Sequence, residues 1–238
     1  MSNKKGLVLL ISAMMLLSLL PLVLADNLGD AVAGATVAEG ASGTFTESAA
    51  TTDDAQGGNV TEVNLSTAAS TTKWAGYYGQ VSASLSLGIS TNALFSFGDV
   101  QNDQIKSVFA TKDIAFKFSD INAGTQAGLD ANWTFTTTDS DSATVAIGGN
   151  TTTISGIASV PALPLNSYSA AGVLSTTTFL SGILVDTENV AKADYAFGVS
   201  VSPNVRDFSN STVVDYELVV PITDGATPET YYFFMDIQ

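Results

Sequence analysis

Tyr77-Tyr78-Gly79-Gln80-Val81-Ser82-Ala83-Ser84-Leu85-Ser86-Leu87 alternates between two kinds of side chain. Tyr77, Gly79, Val81, Ala83, Leu85 and Leu87 fall on one side, and Tyr78, Gln80 and three serines on the other. A period of two is the mark of an extended strand with one face buried, because successive side chains point to opposite faces. Val214, Tyr216, Leu218 and Val220 repeat the pattern, which predicts that Asp215 and Glu217 point outward. Tyr231, Phe233, Met235 and Ile237 form a last strand whose other face carries Tyr232 and Phe234, as an interior strand buried on both sides would.

Shorter segments of the same kind lie at 63–65, 94–97, 114–118, 133–137, 144–147, 179–185 and 195–201, and residues 101–109 suit one short helix. Gly148-Gly149-Asn150 reads as a hairpin turn, and Pro161, Pro164, Pro203-Asn204 and Asp224-Gly225 as loops. Many short strands with polar turns and no long helical crossover predict an all-β fold. The expected form is an antiparallel β-sandwich of jelly-roll or immunoglobulin-like type.

Composition excludes several functions. The 238 residues include no Cys and no His. Disulfides, thiol nucleophiles, Ser-His-Asp triads and ordinary zinc sites are therefore impossible. With 23 acidic residues against 8 basic ones, the net charge of −15 repels phosphate, so nucleic acid is not an expected partner. Only 13% of residues are charged, and Ser, Thr, Asn and Gly fill their place, as suits an extracellular β-rich chain.

The N-terminus reads as a targeting segment. Lys4 and Lys5 precede an apolar run from Leu7 to Leu20, Pro21 breaks it, and Val23-Leu24-Ala25 offers small residues for a signal peptidase. Residues 1–25 are expected to be a signal peptide that directs the chain to the cell surface or outside. Two alternatives stay open: cleavage after Gly6, as by an archaeal prepilin peptidase, and retention as an anchor, the one case in which a membrane would be a partner. Residues 26–58, rich in Ala, Gly, Ser and Thr, read as a flexible linker, and 59–238 as the β-sandwich domain.

Five Asn-X-Ser/Thr sequons, at Asn59, Asn64, Asn132, Asn150 and Asn210, are candidate glycosylation sites. Asp139 and Asp141 form the best local carboxylate pair for Ca²⁺, with Asp99 and Asp103 next and Asp53-Asp54 third, and no other cofactor is implied. Solvated surface acid is the bland reading of all three. Trp74 and Tyr78 are candidates for an aromatic sugar platform, while Tyr77 belongs to the apolar face. Ser70-Thr71-Thr72-Lys73 matches the Ser-x-x-Lys nucleophile motif by chance, since its companion Lys-Thr-Gly is absent. No carboxylate pair is singled out for hydrolysis, and the chain is not expected to be an enzyme.

Gly57-Gly58-Asn59-Val60-Thr61-Glu62-Val63-Asn64-Leu65, followed by Thr72-Lys73-Trp74-Ala75-Gly76-Tyr77-Tyr78-Gly79-Gln80-Val81, resembles a recurring module of secreted archaeal surface proteins. Gln80 stands where that module usually has Asn, and Phe97 where it usually has Trp. The resemblance implies an archaeal cell-surface setting and supplies no catalytic residue. Two functions follow from these readings. One is a subunit of an extracellular filament or surface layer, self-associating through strand edges, with 60–65 as the donor segment. The other is an adhesion module for a glycan or a surface-protein partner.

Overall fold

The structure, a computed structural model, describes residues 32–238 apart from 53, 55, 61, 90, 91, 187–190 and 224–226. The signal-peptide readings, Asp53 and the Asp224-Gly225 turn lie outside the described residues. Among the described residues no helix is long and apolar enough to cross a membrane.

The fold is an all-β antiparallel sandwich. Its main sheet has ten strands. Eight run in the order β1 (Val32–Gly34), β14 (Tyr232–Ile237), β5 (Ile105–Thr111), β10 (Tyr195–Ser200), β9 (Leu174–Val185), β8 (Ile157–Tyr168), β11 (Val205–Arg206) and β12 (Val213–Val214). β6 (Asn122–Ala123) pairs with β9, and β7 (Thr151–Ile154) with β8. A second layer, β2 (Trp74–Gly79) paired with β13 (Tyr216–Pro221), crosses β9 and β10. A separate two-stranded ribbon joins β3 (Ala83–Ile89) to β4 (Asn92–Val100).

Apolar residues cover both faces of the main sheet. On one face Val108, Phe179, Ile183, Tyr195 and Phe197 meet Leu218 and Val220 of β13 together with two helices, α1 (Gln126–Trp133) and α2 (Ala143–Ile147). On the other, Phe109, Leu184 and Ala196 meet Phe116, Phe118, Ile121 and the β7–β8 hairpin. Gly182 and Gly198, paired in register, make that second contact possible. A Cβ on Gly182 would sit 2.5 Å from Ile154 Cδ1, and one on Gly198 would sit 2.9 Å from Phe109. Between the layers, the Val219 N–H donates to Ser181 Oγ and the Ser181 hydroxyl donates to Val219 O, each at 3.1 Å. That hydroxyl satisfies the edge of β13 that β2 leaves open.

Several local expectations are corrected. The stretch 77–87 is two strands in two sheets, broken at 80–82, where the buried Val81 donates its N–H to the Asp215 carboxylate. Asp215 and Glu217 are buried, not outward, because backbone N–H groups and the 207–212 turn cover them. Segments 133–137 and 144–147 are not strands. Trp133 ends α1, residues 144–147 lie in α2, and the Thr125 and Ser142 side chains cap the two helix N-termini.

Pro161 and Pro164 lie inside β8. The Ala162 N–H points toward Asn150 O, so two residues on the Pro164 ring faces that same side, beyond β7 and short of β11 at Tyr168. Gly148-Gly149-Asn150 joins α2 to β7, and Ser155-Gly156 makes the hairpin instead. Residues 114–118 form no strand, with a turn at 114–115 and a 3₁₀ turn opening at Phe118; 63–65 form no strand either, and 101–109 hold one 3₁₀ turn followed by β5. At the other end, Val32–Gly34 pairs with β14, so part of the expected linker belongs to the main sheet. The described residues of 35–73 contain no helix or strand.

Candidate functional site

The predicted carboxylates and one predicted aromatic meet at the start of β2. Lys73 Nζ lies 2.7 Å from Asp139 Oδ2 and 2.6 Å from Asp141 Oδ1. Thr71 Oγ1 donates to Asp141 Oδ2 at 2.8 Å, and Trp74 Nε1 donates to Asp141 O at 2.7 Å. Hydrogen bonds to the two carboxylates raise the Lys73 pKa, and the Lys73 ammonium lowers that of Asp141. The cation between Asp139 and Asp141 is thus the chain's own lysine. Ser70 donates to Glu47 and not to Lys73, so the Ser-x-x-Lys spacing builds no nucleophile.

Trp74 and Tyr78 do not form one platform. Trp74 turns toward Phe135, with ring centroids 6.0 Å apart. Tyr78 instead meets Phe208 edge to face at 5.3 Å, and both rings are exposed. Glu217 pairs in register with Tyr78 on the neighbouring strand, and its Oε1 accepts the Phe208 N–H at 2.8 Å. Asp207 accepts from both the backbone and the hydroxyl of Ser209 and of Ser211, which fixes the turn that carries Phe208. Two aromatic rings therefore sit over two carboxylates that are less than 5% exposed.

Those carboxyls differ in acidity. Burial pushes Glu217 up to about 7, with the nearby Asp207 charge adding to the effect and the Phe208 N–H opposing it. Burial works the same way on Asp207, but the bonds from Ser209, Ser211 and Thr212 outweigh it and lower its pKa. The arrangement favours protonated Glu217 as pH falls below about 7 and favours ionised Asp207. Both groups hold the turn, and neither is open to a substrate. No alternation in the sequence marks Phe208 or its carboxylate support; the run Asp207-Phe208-Ser209-Asn210-Ser211 carries the signal of a side-chain-capped turn.

No known protein family, curated protein or solved structure matches this chain. Its own geometry is therefore what bears on function.

The sequons separate by environment. Asn59 and Asn64 lie in exposed chain, and Asn210 sits exposed at the tip of the 207–212 turn. Asn150 is exposed, with its amide donating to Ile147 O at 2.8 Å. Asn132 is half-buried on α1, where its amide donates to Gly128 O and to Tyr195 Oη. If the chain passes a glycosylation enzyme, glycopeptide mass spectrometry is expected to find sugar at Asn59, Asn64 or Asn210 and none at Asn132. An occupied Asn132 would mean that α1 is open when the sugar is added.

Asp99 and Asp103 line a shallow groove at the foot of the β3–β4 ribbon with Pro203 and Asn204. Among the described residues no three acidic, His or Cys side chains converge as a metal site. Beneath the Ser155 turn, Asp236 is fully buried. Its Oδ2 accepts from Gln238, and its Oδ1 has no partner among the described residues.

Proposed function

We propose that this chain is a non-catalytic, secreted structural subunit of an extracellular filament or surface layer, and that copies join by exchanging an edge strand. The observation that supports this reading is β1. It is three residues long, it forms the edge of the main sheet against β14, and the largely exposed segment 35–73 tethers it to β2. A short edge strand on a long tether can leave its own sheet and fill the same slot on a neighbour without new strain. Thus 32–34, and not the exposed 60–65, is the donor. The excess of acid keeps free subunits apart and soluble until salt or a divalent ion such as Ca²⁺ screens them.

The chain has no Cys, so exchange is directly testable. Ala33 pairs with Met235 in register. Chains carrying Ala33→Cys are mixed with chains carrying Met235→Cys and oxidised. A disulfide between the two chains is expected. If only the double variant cross-links, and only within one chain, exchange is wrong.

The exposed Tyr78–Phe208 pair supports the second reading, an adhesion module for a glycan. In that reading Phe208→Ala and Tyr78→Ala each abolish retention on a glycan array, with folding intact.

A further inference from the structure

The β3–β4 ribbon carries an apolar face that its own domain does not cover. Every residue from Ser84 to Ile89 and from Asn92 to Asp99 is exposed. Leu87 lies directly opposite Phe95, and the Phe95 and Phe97 rings touch edge to face at 5.0 Å. With Leu85 and Ile89, two residues to either side of Leu87, these side chains line one face. Ser86 opposite Ser96, with Ser84, lines the other. Leu87 is 56%, Phe97 67% and Ile89 79% exposed. An isolated two-stranded ribbon is marginal in water, and one with leucines and phenylalanines in solvent calls for a partner.

We infer that the apolar face of this ribbon packs against the same face of a second copy, about a two-fold axis passing near Leu87. This inference rests on the self-assembling reading above and names a second contact within it. Charge selects the occupant. From Gln80 to Gly98 the chain has no charged residue, although the whole carries −15. Like-charged copies therefore meet with least repulsion at the ribbons. An anionic lipid surface finds no Lys or Arg there to hold it. Area fits a pair. Side chains of this size offer roughly 100 Å² of apolar surface each. Five from each copy remove about 1,000 Å² from water, the least that a specific interface has to bury and the size of a reversible one.

The test is sedimentation velocity on the full chain from micromolar to hundreds of micromolar, at physiological and at about 1 M salt. A reversible dimer is expected, held at least as tightly in high salt. The double substitution Leu87→Ser with Phe95→Ser is expected to weaken it at least 100-fold, by about that factor or more. At concentrations where the wild type is a monomer, thermal melting is expected to be unchanged, since both positions are in solvent in the single copy. Leu87→Cys is expected to give a disulfide-linked dimer on oxidation, and Ser86→Cys, on the opposite face, none. A monomer at all concentrations overturns the inference, as does a dimer that survives the double substitution. Flotation of a monomeric chain with phosphatidylcholine–phosphatidylglycerol vesicles also overturns it and makes lipid the occupant. Assemblies that form normally from the double variant would sink the ribbon contact and leave strand exchange standing.

Discussion

Glu217→Gln is expected to stabilise the protein by about 3 kcal/mol above roughly pH 8 and to change little below roughly pH 4. The carboxyl is 4% exposed and is raised to about 7 by burial, with Asp207 adding to the shift. A group whose folded pKa lies above its unfolded value favours folding while it is protonated. Its contribution is full below the unfolded value, near 4.5, and is lost as pH rises through 7. Above that range the wild type holds a buried negative charge beside another carboxylate. Gln keeps the oxygen that accepts the Phe208 N–H and removes the charge. Urea unfolding across this range should show the wild type losing more stability than the variant, with the gap opening as pH rises through 7. Parallel curves would mean that Glu217 ionises as easily in the folded protein as in the unfolded one.

Glu229 titrates in the opposite sense. Burial opposes its charge, but Lys112 and Thr223 outweigh burial and hold it at about 2. Its contribution is present above its unfolded value and is lost as pH falls toward 2. Asp236, raised by burial, adds to the slope that Glu217 creates. Comparison with the Gln variant isolates the Glu217 part.

Asp130→Ala is expected to cost about 3 kcal/mol or more, the second large effect. Asp130 is fully buried on α1. Its carboxylate accepts the N–H of Ala143 at 2.7 Å, the N–H of Thr144 at 3.0 Å and the Thr144 hydroxyl at 2.6 Å. One side chain thus fixes the first turn of α2 against α1. Alanine would leave two backbone donors unpaired next to the packed Trp133 and Ile147. Asp130→Asn should recover part of the loss, since it keeps one acceptor, and Thr144→Ala should cost only about 1 kcal/mol. Thermal unfolding of the three variants checks the order. An alanine variant within about 0.5 kcal/mol of wild type would show that the two helices do not depend on this cap.

The sequence made the strand class legible because period two survives any arrangement of the sheets. Tyr216 to Val220 and the final strand lie where the alternation places strands, although Val214 belongs to β12 of the main sheet, and 179–185 and 195–201 become the centre of that sheet. What alternation could not carry was which face is covered. Leu85 and Leu87 share a pattern with Tyr77, yet Tyr77 packs on Phe233 while the leucines stand in solvent. The chain changes sheets at Val81, and only the long-range bond to Asp215 reveals that break.

Asp215 and Glu217 read as outward because a carboxylate costs much to bury; backbone donors from distant segments offset that cost. The helix at 143–147 was hidden because Thr144, Val145 and Ile147 favour strands locally, and the caps from Ser142 and Asp130 override them. The nearness of Asp139 to Asp141 and the exposure of Tyr78 were legible, though neither marks a site by itself. Their partners Lys73 and Phe208 were not, because both arrive through tertiary pairing.

Electron microscopy of the protein purified from its own cells decides whether it assembles. Regular filaments or a lattice are expected, lost when residues 32–34 are deleted. Discrete single particles at high concentration, with and without Ca²⁺, would contradict that expectation.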